Sequence, residues 1–263
     1  PCDDIKLGHF IPALDHAIGE AERTLESIKC NPESPTFDNT ILPMETCSEL
    51  MGIVVLTYFN LMSAESDNKF KELAQEISPK LSAFENNILL DSKLFERVKY
   101  VYEKMESNNL NAEQKRLVLE SYKDFTLNGA LLNEKDKDKV RKIDEELSKL
   151  SPKFSQNSLN ATNEFTYYTE YESDLKGIPE LAINQAAETA RKKNKISGWM
   201  FTLQMPSFIP VMQYAENREL RKTMAYQFGK ISFGGKYDNQ KIIKKIVSLR
   251  HEKARILGFK DHA

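Results

Sequence analysis

The four histidines have the widest chemical use of any side chains in this sequence, because imidazole binds metals and exchanges protons near neutral pH. They are His9, His16, His251 and His262. His251 and Glu252 match the first half of the zinc motif H-E-x-x-H, in which the second imidazole lies one helical turn later. Arg255 stands at that second position, and a guanidinium stays protonated and does not bind a metal. The pattern therefore predicts a solvated helix face here.

The other chemical signals in the sequence are weaker still. His9 and His16 are seven residues apart, which is about 10 Å along a helix and too far for one metal ion. We predict that both are surface or partly buried structural residues. The sequence contains no G-x-S-x-G elbow, no G-x-x-x-x-G-K-[ST] phosphate loop and no G-x-G-x-x-G fingerprint. We therefore nominate no catalytic residue, no cofactor-binding residue and no metal ligand in this chain.

Composition limits the partners of the protein. The 263 residues carry 37 Lys and Arg against 39 Asp and Glu, a formal net charge of −2. This balance offers no excess positive charge to neutralise phosphates, so nucleic acid is not an expected partner. The longest apolar run, Leu50–Met62, is 13 residues long and falls short of the roughly 18 needed to cross a membrane. We therefore predict no membrane helix.

Cysteine usage and the first residues bear on the compartment. Cys2, Cys30 and Cys47 never pair as C-x-x-C, which disfavours a disulfide framework and a thiolate zinc site and favours a reducing compartment. The first 20 residues lack a basic segment followed by an apolar run. We expect a cytoplasmic protein, or a periplasmic or exported one if a leader has been removed.

The elements that position these residues are predicted to be mostly helices, because capping residues precede apolar stripes at spacings of three and four. The predicted caps are Asp91 or Ser92, Asn111 with Gln114 in the first turn, Asn217 and Asp238. Gly258 is the predicted stop of the last helix. A further apolar seam runs from Val140 to Phe154 and indicates a core-facing helix, with a kink or a restart at Pro152.

The composition changes near Asn163, where aromatic and threonine residues crowd together as in a strand. We predict strands near 165–171 and 199–205, joined by a helix, in an otherwise mainly α protein. The predicted division is an N-terminal helical domain over 1–163, followed by helices and short strands over 164–263.

Several segments resemble the N-terminal part of the thimet oligopeptidase family of zinc metallopeptidases, especially its oligopeptidase A and bacterial peptidyl-dipeptidase branch. Similar segments occur in family order over essentially the whole chain. They are HFIPALDHAIGEAERTLESI, PTFDNTILPME, LSKLSPKFSQNSLNATNEF, DLKGIPE, LQMPSFIPVMQYAENRELRKTMAYQF and YDNQKIIKKIVSLRHEKARILGFKDHA. One departure is AYQFGKISFGG, where the family usually has an Arg-Gly pair.

The resemblance implies a helical layer that forms one wall of a deep channel for short peptides. In the whole enzyme it implies a zinc ion that polarises the scissile carbonyl and a glutamate that takes the proton of the bound water. The family's H-E-x-x-H helix lies downstream of ILGFKDHA, so none of its ligands maps onto this chain. The resemblance therefore predicts an N-terminal fragment of a zinc oligopeptidase or peptidyl-dipeptidase that is inactive by itself and binds no zinc.

Two other interpretations stay open at this point. The chain could be a stand-alone helical peptide-binding or scaffold module. It could also be a homodimeric structural protein, with self-association through the Val140 to Phe154 seam or through a surface that a missing C-terminal catalytic domain would cover.

Overall fold

The computed structural model describes residues 4–65 and 68–263, and the fold of these residues is mainly helical, as predicted. The first seven α-helices are α1 Phe10–Cys30, α2 Leu42–Thr46, α3 Glu49–Glu65, α4 Asn68–Leu89, α5 Ser92–Glu103, α6 Ala112–Asn128 and α7 Glu134–Glu164. The next are α8 Glu180–Lys192, α9 Met205–Tyr214, α10 Arg218–Gly229 and α11 Gln240–Ile256. Short 3-10 helices occupy Leu7–His9 and Glu172–Leu175, and a π-helix occupies Phe37–Ile41.

The helices begin where local side chains satisfy their first amides. Asp91 accepts a hydrogen bond from the backbone N of Leu94 at 2.9 Å, so it caps α5 as predicted. Asn111 and Gln114 exchange side-chain-to-backbone hydrogen bonds of 2.9 and 3.0 Å at the start of α6. This reciprocal capping box satisfies two amides that would otherwise lack a partner.

The described residues pack into two compact units. The first contains the residues up to Pro152 together with Ile246–Ala263, and the second contains Lys153–Lys245. These units describe packing within the chain, and the division into domains at residue 163 stays a prediction.

The first unit has two apolar clusters. One surrounds Val98, Val118 and Phe125, which are at most 1% exposed and lie on α5 and α6. The other surrounds Phe10, Tyr58 and Ile77, where α1, α3 and α4 meet. Val140 and Ile143 of α7 are buried as well, which confirms the core-facing interpretation of that seam at these two residues.

The second unit contains the small sheet. Strands β1, Thr166–Thr169, and β2, Trp199–Thr202, pair antiparallel, with Thr166 opposite Thr202 and Thr169 opposite Trp199. Both strands fall inside the predicted ranges. Phe201, Leu203, Val211, Leu220 and Met224 form the buried core beneath the sheet and are at most 2% exposed.

Pro152 does not restart the helix that contains it. Helix α7 runs without a break from Glu134 to Glu164, so the predicted alternative of a restart is wrong. Proline removes one backbone donor, and the regular bonds on both sides of that position are sufficient to continue the helix.

One helical run has the length and composition of a membrane span. It extends over Phe37–Ala64, with a window of mean hydropathy 1.3 of which 6% is buried. This result differs from the expectation based on the 13-residue run alone. A turn at Cys47 and Ser48 divides the run, and its longest continuous helix is α3, with 17 residues.

Candidate functional site

The residues that resemble half of a zinc motif lie together on the last helix. His251, Glu252 and Arg255 are all exposed on α11. Glutamate and histidine side chains that serve a catalytic metal are normally held by surrounding hydrogen bonds. The face that carries these three residues is a solvated one.

The other histidines are also exposed and lie apart from one another. The Nδ1 atom of His9 accepts a hydrogen bond from the backbone N of Lys6 at 3.2 Å, at the start of α1. Asp15, next to His16, pairs with Lys80 at 2.7 Å. Across residues 4–65 and 68–263 no three His, Cys, Asp or Glu side chains are placed to hold a metal ion. A zinc ion therefore does not fit the donors of the described residues.

Neither cysteine of the described residues is activated as a nucleophile. The Sγ of Cys30 donates a hydrogen bond to Glu26 Oε1 at 3.2 Å, and this contact raises the pKa of the thiol. Burial raises the pKa of Cys47. A raised pKa keeps the thiol protonated and lowers its nucleophilicity. Cys2 lies outside the described residues.

A groove of the first unit lies between α1, α4 and α5 and has a volume of about 620 Å³. Lys29 lies in its wall, and the Nζ of Lys29 lies 2.8 Å from Glu26 and 3.1 Å from Asp91. The hydrogen bond from Lys29 holds the pKa of Glu26 below its usual range, and the bond to Glu26 raises the pKa of Lys29. Lys29 is therefore paired with both carboxylates, which is a structural role.

A second groove, of about 520 Å³, lies in the second unit beside the loop that joins α10 to α11. Its wall includes Lys230, Ser232, Phe233 and Lys236. Phe233 is 59% exposed, and Ser232 has a left-handed backbone with φ 56°. The segment AYQFGKISFGG, which departs from the family pattern, begins in the last turns of α10 and ends in this loop. The groove offers apolar and cationic contacts, with Glu164 as a carboxylate in its wall.

Among the described carboxylates, every pKa that is shifted is shifted downward. The pKa values of Glu26, Asp136, Glu145, Glu170 and Asp238 are lowered, in each case first by a hydrogen bond from a lysine, a tyrosine or a backbone amide. A general acid or base that works near pH 7 needs a carboxyl pKa that is raised. The lowered pKa keeps these five carboxylates charged near neutral pH, and their hydrogen bonds serve the structure.

A buried polar network that the sequence did not reveal lies beneath the sheet. Asp174 accepts hydrogen bonds from Thr169 Oγ1 and from Asn217 Nδ2, both at 2.6 Å. Asn217 also accepts from the backbone N of Leu220 at 3.1 Å and so caps α10, as predicted. The sequence predicted Asn217 as a cap, but it gave no local indication that Asn217 also pairs with Asp174, 43 residues away.

This chain is similar to one family model and to several named peptidases. Residues 9–137 match the family model described as the N-terminal domain of neurolysin and thimet oligopeptidase. Oligopeptidase A of Haemophilus influenzae is 32% identical over 100% of this chain and 39% of its own length. Oligopeptidase A of Escherichia coli is 29% identical over 100% and 39%, and dipeptidyl carboxypeptidase of E. coli is 30% identical over 99% and 38%.

The coverage of these comparisons is strongly asymmetric. Essentially the whole chain aligns, yet it spans less than two fifths of the length of these three relatives. More than half of each relative therefore has no counterpart in this sequence.

Proposed function

Because this chain is similar to the thimet oligopeptidase family and carries the match to its N-terminal domain, we propose that it is the N-terminal part of a zinc-dependent oligopeptidase or peptidyl-dipeptidase. The substrates of the whole protein are short peptides, and the described residues form part of the wall of the channel that admits them. The observation that carries the proposal is the alignment of the entire chain with 39% of oligopeptidase A.

The chain is inactive by itself under this proposal. The described residues bring no donor set together that fits zinc, and their shifted carboxylates stay ionised. The catalytic residues and the metal ligands belong to the polypeptide that the relatives have outside the aligned region. The contribution of this chain is to exclude folded proteins and to position peptides. A folded substrate would have to unfold before it could enter a narrow channel, at a cost of about 5–15 kcal/mol for a typical domain.

We place the protein in the cytoplasm. An Arabidopsis thaliana relative that is 28% identical is named as a probable cytosolic oligopeptidase A. Another relative from the same plant, also 28% identical, is named as organellar. The two unpaired thiols of the described residues agree with a reducing compartment.

A peptidase assay on two polypeptides tests this function. One is the 263-residue chain, and the other continues through the open reading frame beyond Ala263. We expect the longer protein to cleave a quenched fluorescent peptide of about ten residues, to lose this activity with a chelator and to regain it with zinc. The 263-residue chain should not cleave the peptide. A His251→Gln variant of the longer protein should keep both activity and zinc content, since His251 is not a ligand.

Two results would contradict the proposal. The first is chelator-sensitive cleavage by the purified 263-residue chain. The second is a reading frame that stops after Ala263, combined with zinc-independent peptide binding by the chain. That second result would indicate a stand-alone peptide-binding or scaffold module.

A further inference from the structure

Helix α3 exposes a row of large aliphatic side chains. Leu50, Ile53 and Leu56 are 44%, 64% and 71% exposed. Their spacing of three places them along one side of the helix. Tyr58, on another side, is fully buried in the cluster with Phe10. We call the exposed row, formed by Leu50, Ile53 and Leu56, the α3 face.

The composition of α3 is that of a helix covered on all sides. Between the exposed residues, Val54, Val55 and Phe59 pack against the cluster around Tyr58. A helix that is apolar all round is normally buried in a complete fold. Gly52 lies at the edge of the α3 face, and an added Cβ there would meet no atom within 4 Å. Another backbone could therefore approach the helix closely at this point.

The charges around the α3 face favour a protein as the covering partner. No Lys, Arg or His occurs from Cys30 to Asn68, whereas Glu49, the residue before Leu50, and Glu45 of α2 are exposed. A membrane surface is usually anionic on its cytoplasmic side and attracts basic segments. An apolar face with an acidic rim instead complements an apolar surface with basic residues around it.

The length of the relatives indicates which protein supplies that surface. They align with the whole of this chain over only 38–39% of their length. We propose that the α3 face is an internal docking surface for the C-terminal remainder of the same polypeptide, which covers Leu50, Ile53 and Leu56 with an apolar patch rimmed by Lys or Arg. This inference rests on the proposed function, since it requires that the protein continues beyond this sequence.

Accessibility of a single cysteine tests the docking. Leu56→Cys is introduced after Cys2, Cys30 and Cys47 have been replaced by Ser or Ala, and the rate of maleimide labelling is measured. We expect labelling in the longer protein to be about tenfold slower or more than in the 263-residue chain, because a covered thiol reacts only after local opening. Asn109→Cys is the matched control. Asn109 is exposed in the α5–α6 connection, and its labelling rate should be the same in both proteins.

A second variant gives an independent readout. Ile53→Gln should leave the melting temperature of the 263-residue chain unchanged, since Ile53 is 64% exposed there. In the longer protein the same variant should lower the melting temperature by several degrees, because it places an amide in a covered apolar contact.

Each other occupant of the α3 face gives a different result, and each would overturn the inference. Slow labelling of the Leu56→Cys thiol in the shorter chain, together with a dimer in sedimentation, would identify a second copy as the occupant. Protection only after addition of phosphatidylcholine and phosphatidylserine vesicles would identify a membrane. Equal labelling in both proteins would show that the remainder does not cover the face. If the longer Leu56→Cys protein cleaves peptides while its introduced thiol stays reactive, the docking fails and the proposed function stands.

Discussion

Lys253 and Asp144 form an ion pair in the first unit although 109 residues separate them in the chain. The Nζ atom of Lys253 lies 2.7 Å from Oδ1 and 2.9 Å from Oδ2 of Asp144. The two side chains are only 21% and 13% exposed. The sequence predicted a solvated helix face for the residues next to Lys253, namely His251, Glu252 and Arg255. The pair instead joins α11 to α7 within the unit.

Asp144→Asn should therefore destabilise the chain by about 2 kcal/mol, because it leaves the Lys253 charge without its partner in a poorly solvated place. Urea unfolding, followed by circular dichroism, measures the loss. Glu120→Gln is the control: Glu120 pairs with Arg116 at 2.8 Å, but these side chains are 41% and 70% exposed. That variant should cost less than about 0.5 kcal/mol. Equal losses for the two variants would contradict the structural role of the Lys253 pair.

Asn239 joins the start of α11 to α7 inside the second unit. Its Nδ2 donates to Phe154 O at 3.0 Å and to Ser158 Oγ at 3.2 Å, and its Oδ1 accepts from Asn157 Nδ2 at 2.9 Å. Asn239 is 1% exposed. Asn239→Ala should cost about 2 kcal/mol, since several buried polar groups lose their partner. Asn184→Ala, on the exposed face of α8, should change the unfolding free energy little, and a similar effect for both would refute the role of Asn239.

Gly177 lies so close to the neighbouring backbone that a residue with a side chain does not fit at this position. Its φ is +87°, and an added Cβ would lie 2.2 Å from the carbonyl oxygen of Tyr214. The neighbouring backbone bond from Glu216 N to Lys176 O, 2.8 Å long, would have to move. Gly177→Ala should thus cost roughly 3 kcal/mol or more. Gly234 has a similar φ of +80° with open space around it, so Gly234→Ala should cost only about 1 kcal/mol of backbone strain. Thermal unfolding of both variants separates the clash from the strain.

The local part of this fold was predictable from the sequence because capping depends on neighbouring residues. Asp91, Asn111 and Asn217 accept backbone amides as predicted. Asp238 accepts from the backbone N of Gln240 at 3.2 Å, although α11 begins one residue later than predicted. Gly258 has a φ of +88° at the end of that helix, which agrees with its predicted role as a stop.

The long-range part could not be read from the sequence. Whether a charge such as Asp144 is solvated or paired depends on a residue 109 positions away. The exposure of Leu56 was equally hidden, because an apolar residue in an apolar helix gives no indication of which side is covered. For the same reason no residue was nominated for the proposed channel wall, since an exposed aromatic residue such as Phe233 resembles any other surface aromatic residue in a single sequence.

Tyr58 gives the fold a dependence on alkaline pH. Its ring is fully buried, its hydroxyl donates to the carbonyl oxygen of Phe70, and burial raises the pKa of Tyr58 to about 12. The unfolded chain ionises this phenol near its ordinary pKa of about 10. Above that pH the unfolded state holds fewer protons than the folded state, so stability falls as pH rises. The contribution is complete below about pH 10 and is lost progressively toward pH 12.

Tyr58→Phe should remove this slope. At pH 7 the variant should be less stable by about 1 kcal/mol, because it loses one hydrogen bond to Phe70. Between pH 10 and pH 12 the difference should shrink and then change sign, since only the wild-type chain loses stability through Tyr58. Unfolding free energies at pH 7, 9, 10 and 11 measure the difference between the two proteins. The contributions of other groups that titrate at alkaline pH cancel in this difference, because both chains contain them. A difference that stays constant from pH 7 to pH 11 would show that Tyr58 titrates alike in both states and is not held neutral by burial.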